Sequence, residues 1–251
     1  MPKLVRQSPN ESATLSDVGT IKRGNDGREW IIKSYNGVKR WTPFDSSIFK
    51  AASFLHGRIN RIDLDLIINK LKVGKPKLLG TLNITSNKIG IGELLYHEYP
   101  AKKGQYDIYQ YVNSLIAVHE NSQISGQKFK LTKQTANCDA GMFSFNDAAW
   151  LKWYASNRDN KIKKIFGKKF PDFSTNVLIR SSRHQIDGTD AYYVYDSDIN
   201  KKSSEEHDDD PVAIFAGNGF GDGSFPIFKG TNAYLIMSYD LEDKIFALFD
   251  K

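Results

Sequence analysis

Two aspartates set among glycines are the residues of this sequence whose type and setting best suit chemistry. Asp139 stands in Asn137-Cys138-Asp139-Ala140-Gly141-Met142-Phe143, and Asp222 in Gly217-Asn-Gly-Phe-Gly-Asp-Gly-Ser-Phe-Pro226. Glycines let a ligand approach the backbone closely. A carboxylate pair there suits general acid–base hydrolysis, if both reach one substrate position and the fold brings in a histidine. The plainer reading is that both carboxylates accept backbone N–H bonds and tie down turns. Cys138 is a candidate nucleophile, but no histidine is tied to it by sequence, and a lone cysteine is a common core filler. The glycine run lacks the Gly-Lys-Ser/Thr ending of a phosphate loop, and strands rather than a helix follow it, unlike a dinucleotide fingerprint. The five histidines (His56, His97, His119, His184 and His207) include no i,i+4 pair, and there is no Cys-x-x-Cys. The acidic stretch 203–210 lacks the ordered alternation and glycine of a calcium loop. No metal site and no cofactor are expected.

The second set of candidates is cationic. Residues 1–110 carry 18 basic and 10 acidic side chains, residues 152–170 carry 7 and 1, and residues 171–210 carry 4 and 10. The formal net charge of +6 therefore hides two basic regions and one acidic one. Such polarity would attract a polyanion, or join basic to acidic patches in self-association. Lys33, Arg40, Lys163, Lys164, Lys168 and Lys169 are the candidates to bind phosphates or an acidic protein surface without base specificity. Trp30 and Trp41, if exposed, would stack on single strands. The basic, amphipathic run 161–170 has the composition of a membrane-surface or nucleic-acid-facing segment, or of a solvated helix face.

The whole chain must supply the frame for these residues. Its 251 residues are 40% hydrophobic and include 12 Tyr and 15 Phe, enough for one sizeable domain with a small appendage. That excludes a disorder-dominated chain, and a single cysteine excludes a disulfide scaffold. No apolar run approaches the ~20 residues of a bilayer span, and the first residues show no apolar leader core, which points to a non-secretory setting.

Four divisions follow: a polar, flexible lead (1–18), a small β-ribbon module (19–43), a connector with a helix (44–74) and a β-rich main domain (75–251). In the module, a two-residue turn at Asn36-Gly37 pairs Tyr35 with Val38, Lys33 with Arg40 and Ile32 with Trp41. Trp30, Ile32 and Trp41 then share one face, opposite Lys33 and Arg40. That Trp face must pack on the main domain or dock a partner, since so short a ribbon cannot stand alone.

Strand patterns cover 78–84, 89–99, 106–119, 129–132, 177–180, 191–195, 212–216, 224–228, 234–238 and 245–249. One helix follows a cap at Asn146 and carries Trp150 and Trp153. The fold class is mostly β, a β-rich α+β chain with an antiparallel sandwich or barrel-like body and one or two helices.

Residues 19–41, with Gly24-Asn-Asp-Gly, then Trp30, then Asn36-Gly-Val-x-x-Trp41, resemble a small module of giant DNA virus proteins. That resemblance implies a viral protein of the host cytoplasm or the virion and supplies no chemistry. Over about residues 75–250 the chain also resembles the uncharacterised domain of unknown function 4241, found mainly in bacteria. The matching residues are Pro100, Gly104, Tyr106, Asp139, Ala140, Gly141, Gly219, Gly221, Asp222, Gly223 and Pro226. Phe225 replaces the family's usual Tyr, and 197–210 reads as an insertion. This resemblance implies a mostly β body and no established activity.

The leading expectation is a non-enzymatic viral protein that binds nucleic acid or an acidic protein surface. The alternatives are a hydrolase built on Asp139 and Asp222, and a virion structural protein forming a homodimer or larger homo-oligomer, to which abundant Tyr and Phe are suited.

Overall fold

Two runs of alternating hydrophobicity joined through an Asn-Gly pair are expected to form a tight hairpin, and the computed structural model pairs Glu29–Tyr35 antiparallel with Val38–Phe44. The structure describes residues 6–35, 37–44, 52–55, 58–92, 97–138, 141–149, 183–195 and 211–249. Two compact units divide between Ala51 and Ala52. The first holds β1 (Ile21–Arg23), β2 (Glu29–Tyr35) and β3 (Val38–Phe44), paired antiparallel in that order. Its register sets Tyr35 against Val38, Lys33 against Arg40 and Ile32 against Trp41, as the turn predicts.

The lead expected to be flexible over 1–18 is, from residue 6, part of this unit. A 3-10 turn at Ala13–Leu15 follows Ser12, whose hydroxyl accepts the Thr14 N–H. The Asn25 amide donates to the Arg6 carbonyl (2.9 Å), the Ser8 carbonyl (3.0 Å) and the Asn10 side chain (2.7 Å). Ala13 joins Trp30, Ile32 and Trp41 in one buried cluster. Hydrogen bonds to polar residues hold the lead, so low hydrophobicity gave no sign of order.

In the second unit, the region expected as a connector contributes β4 (Ala52–Leu55), β5 (Arg58–Asp63) and α1 (Leu64–Leu71). The Asp63 carboxylate caps α1 by accepting the Leu66 N–H, and Lys72 ends it in the left-handed region at φ 55°. The remaining strands are β6 (Lys77–Ile84), β7 (Lys88–Ile91), β8 (His97–Pro100), β9 (Gly104–Tyr111), β10 (Ser114–His119), β11 (Lys128–Cys138) and β12 (Met142–Asp147). They continue with β13 (Arg183–Gln185), β14 (Ala191–Val194), β15 (Ala213–Gly217), β16 (Gly223–Lys229) and β17 (Ala233–Ile236).

One antiparallel sheet runs β4-β5-β11-β16-β17-β10-β9-β6 and another β13-β14-β15-β12-β7-β8. Ile108, Leu115, Ala117, Ile227, Tyr234 and Ile236 of the first share a core with Ile89, Ile91, Phe143, Phe145, Ile214 and Ala216 of the second. The body is thus a mostly β sandwich of two open sheets, not a closed barrel. No described helix is long and apolar enough to cross a membrane.

Two local expectations are corrected. Residues 245–249, read as a strand, end α2 (Tyr239–Phe249), which packs against α1 and buries Leu241 and Ile245. The Ser238 hydroxyl caps α2 by accepting the Leu241 N–H (3.2 Å), and Asp240 and Glu242 fill its first turn. Asn146 does not cap the next helical turn: it lies in β12, and the Asp147 carboxylate accepts the Ala149 N–H (3.1 Å). The expected strand 177–180 and the helix beyond residue 149 lie outside the described residues.

Buried phenols and a histidine fix the loop between β8 and β9. Tyr234 donates to the Pro100 carbonyl (2.5 Å), the Lys102 N–H donates to the Tyr106 hydroxyl (3.1 Å), and His119 Nε2 bonds the Lys103 carbonyl (3.0 Å). Burial, reinforced by Tyr106 and Tyr99, pushes the Tyr234 phenol up to about 12.

Candidate functional site

The module has two unlike faces, and the Gly24-Asn-Asp-Gly turn organises one of them. Asn25 holds the lead, while Asp26 accepts the Trp30 indole N–H (3.1 Å) and, at 2.8 Å, the Arg28 guanidinium. Desolvation pushes the Asp26 carboxyl up, but the Trp30 and Arg28 donors outweigh it and hold the group below its usual range. Gly24 is required for close approach, because a Cβ there would sit 2.3 Å from the Trp30 indole nitrogen. The Trp41 indole donates to the Glu11 carbonyl (2.8 Å). Trp30 and Trp41 are 8% and 9% exposed. The two tryptophans are therefore covered by the chain's own lead and present no stacking platform, which corrects the expectation that they meet a ligand.

The cations divide between the faces. Lys22 and Lys39, on the covered side, pair with Glu11 and Asp17 of the lead, and Arg28 pairs with Asp26. The other face carries Ile21, Arg23, Glu29, Ile31, Lys33, Val38 and Arg40, by the ladders that join β1 to β2 and β2 to β3. Ile21 is 44% and Val38 51% exposed, and Arg40 is exposed as well. Arg23 was missed in the sequence; its signal was its register opposite Glu29, two positions from Ile31.

In the main body, the two glycine-bearing segments do converge. Asn137 opposes Ser224 and Cys138 opposes Gly223 across the β11–β16 ladder, and Met142 opposes Gly217 across β12–β15. The Asn218 N–H donates to the Gly141 carbonyl (2.9 Å). Gly141 has φ +68°, a backbone that favours glycine, and a Cβ there would also crowd Gly221 Cα at 3.2 Å. The loop after β15 is tied down by buried Asn218, whose side-chain oxygen accepts the Phe220 (2.9 Å) and Gly221 (2.8 Å) N–H groups. Asp222 does not perform that task. It is exposed at the loop tip and makes no hydrogen bond among the described residues.

Cys138 is 1% exposed and belongs to the central core, so its thiol is not presented as a nucleophile. Asp139, Lys163, Lys164, Lys168 and Lys169 lie outside the described residues. Among the described residues no group of three His, Cys, Asp or Glu side chains could hold a metal ion. The described geometry supplies a set of charged and apolar surfaces, and the expected pair of Asp139 and Asp222 has one member outside the described residues.

Comparison with known proteins places the chain. It is similar to a protein of Acanthamoeba polyphaga mimivirus named "Uncharacterized protein R608", with 43% identity over 253 residues that cover 97% of this chain and 98% of that protein. The chain belongs to this giant-virus protein family. Because the match runs nearly end to end, it takes in both units. No family model matches the chain, so the likeness to domain of unknown function 4241 gains no support there. No solved structure matches either.

Proposed function

We propose that this member of the giant-virus family is a non-enzymatic binding protein of the host cytoplasm or virion that engages a polyanion through the open face of its N-terminal module. One observation carries the reading. The lead's carboxylates pair with Lys22 and Lys39 of the covered side, while the open side carries exposed Arg40 opposite Lys33 and exposed Arg23 opposite Glu29. An exposed guanidinium such as that of Arg40 presents a planar fork of donors that matches phosphate oxygens. Ile21, Ile31 and Val38 add apolar contact beside the charges. Burial of Trp30 and Trp41 moves the expected contact away from base stacking and towards the phosphate backbone. The mostly β sandwich is also what the likeness to domain of unknown function 4241 would lead one to expect, and that likeness adds no activity.

Fluorescence anisotropy with a labelled single-stranded oligonucleotide of about 20 nucleotides tests the reading. Affinity should fall steeply between about 50 and about 200 mM salt. The double variant Lys33→Gln, Arg40→Gln should flatten that dependence by a slope of about 1.4, for two contacts at about 0.7 each. An affinity indifferent to salt, or a double variant with the parent slope, would rule the module out as the binding face.

A further inference from the structure

β5, β11 and β16 lie side by side in the eight-stranded sheet. Their ladders set Arg61 directly opposite Lys130, and Lys130 directly opposite Lys229. Directly opposed residues of antiparallel strands project from the same face. Three cations therefore form a single row across three strands, stepping by about 4.8 Å per strand. All three are exposed, and among the described residues no ion pair reaches any of them.

The neighbouring position shows what the same strands do otherwise. One step along the same face, Lys128 opposes Asp63, its ammonium 3.8 Å from the carboxylate. There a cation faces an anion; at the row, cation faces cation twice over. Such an arrangement weakens the sheet unless something negative covers it. One end of the row is also held in place, since the Lys229 ammonium lies 5.9 Å over the ring of Tyr234, its ladder neighbour on β17. Lys133, exposed at the bulge between Leu131 and Thr135, adds a cation just beyond Lys130 on β11.

We propose that Arg61, Lys130 and Lys229 form an anion-binding row that takes successive phosphates of a nucleic-acid backbone. The row crosses interior strands, whose backbone groups are already paired on both sides, so an acidic peptide could not add itself as a strand there. Recognition is left to side-chain charge in a line, which is how phosphates are gripped to position a nucleic acid without reading its bases. The row shares polyanion chemistry with the module's open face but rests on other residues in the other unit, so either reading can fail without the other.

The test uses the full chain and fluorescence anisotropy with two probes, a labelled single-stranded oligonucleotide of about 20 nucleotides and its duplex. The triple variant Arg61→Gln, Lys130→Gln, Lys229→Gln should flatten the slope of log affinity against log salt by about 2 on the single strand and about 3 on the duplex. Its melting temperature should not fall, because the substitutions relieve opposed like charges. Two controls discriminate. A variant with the same charge change at exposed Lys75, Lys102 and Lys103 should keep the parent slope. In the Lys33→Gln, Arg40→Gln background, the triple variant should cause the same loss as in the parent. A triple variant with the parent slope, or a control triple that loses as much, overturns the row while leaving the module reading intact. Displacement of the oligonucleotide by polyglutamate as effectively as by unlabelled oligonucleotide would overturn the nucleic-acid assignment and favour an acidic protein partner.

Discussion

The indole N–H of Trp41 donates to the backbone carbonyl of Glu11 at 2.8 Å. A residue of the polar lead thus closes over the third strand of the module, and the Trp face finds its cover within the first unit. Removing residues 1–17 should therefore expose both module tryptophans. In a Trp150→Phe, Trp153→Phe background, the truncated chain should show red-shifted emission and stronger quenching by acrylamide than the full chain. Unchanged emission would mean that some other surface covers Trp30 and Trp41.

Asp147 is 4% exposed and its carboxylate accepts from the Thr85 N–H (3.2 Å), the Thr85 hydroxyl, the Ser86 hydroxyl (2.9 Å) and the Ala149 N–H (3.1 Å). It joins the β6–β7 turn to the end of β12. Replacing it with Ala strands several donors, and the loss should reach about 3 kcal/mol in urea denaturation. A loss below about 1 kcal/mol would show that water replaces the carboxylate readily.

Ser238 works in three directions. Its hydroxyl donates to the Val112 carbonyl (2.6 Å) and accepts the Leu241 N–H (3.2 Å), and its own N–H donates to the Ser114 hydroxyl (2.9 Å). Ser238→Ala should cost about 1–2 kcal/mol through the lost cap of α2. Ser238→Asn, which keeps a capping acceptor, should recover part of it, unless crowding at this buried site dominates. Equal losses for both substitutions would place the effect in packing.

Tyr234 makes stability fall at alkaline pH. Its folded phenol is pushed up to about 12, above the ordinary value of 10.0. The unfolded chain releases this proton first, so its contribution is fully present below pH 10 and is lost as pH rises towards 12. Burial pushes Tyr99 and Tyr106 in the same direction. Urea midpoints between about pH 8 and about pH 11 should decline more steeply for the parent than for Tyr234→Phe. Parallel curves would show that Tyr234 ionises as readily in the folded chain as in the unfolded one.

The parts of the fold legible in the sequence are those fixed by local chemistry. Asn36-Gly37 set the β2–β3 register because so short a turn leaves one way to pair its strands. Alternation along residues such as Tyr106, Ile108 and Leu115 marked the core strands, although the hairpin turn at Val112 and Asn113, both at positive φ, was not separated from them. The apolar residues near Ile245 read as a strand because their helical partner Leu241 lies among acidic residues. The cap at Ser238 and the acidic first turn were the signals that favoured a helix.

Cover of the Trp face was not legible, since it depends on Asn25 amide bonds to the lead. The row of Arg61, Lys130 and Lys229 was beyond reach for another reason. No local pattern states that three distant strands will be neighbours.

The strand order of the eight-stranded sheet constrains how the chain comes into being. β16 and β17 sit in its middle, between β11 and β10, though both are made after every other strand. Until they arrive, β10 and β11 each keep an unfilled edge, and the early strands form two separate pieces, β4-β5-β11 and β10-β9-β6. A nascent chain must hold these pieces apart without pairing them wrongly or with another chain. Closure by the last strands links residues far apart in sequence, so assembly should be slow and should depend on factors that shield unpaired edges during synthesis.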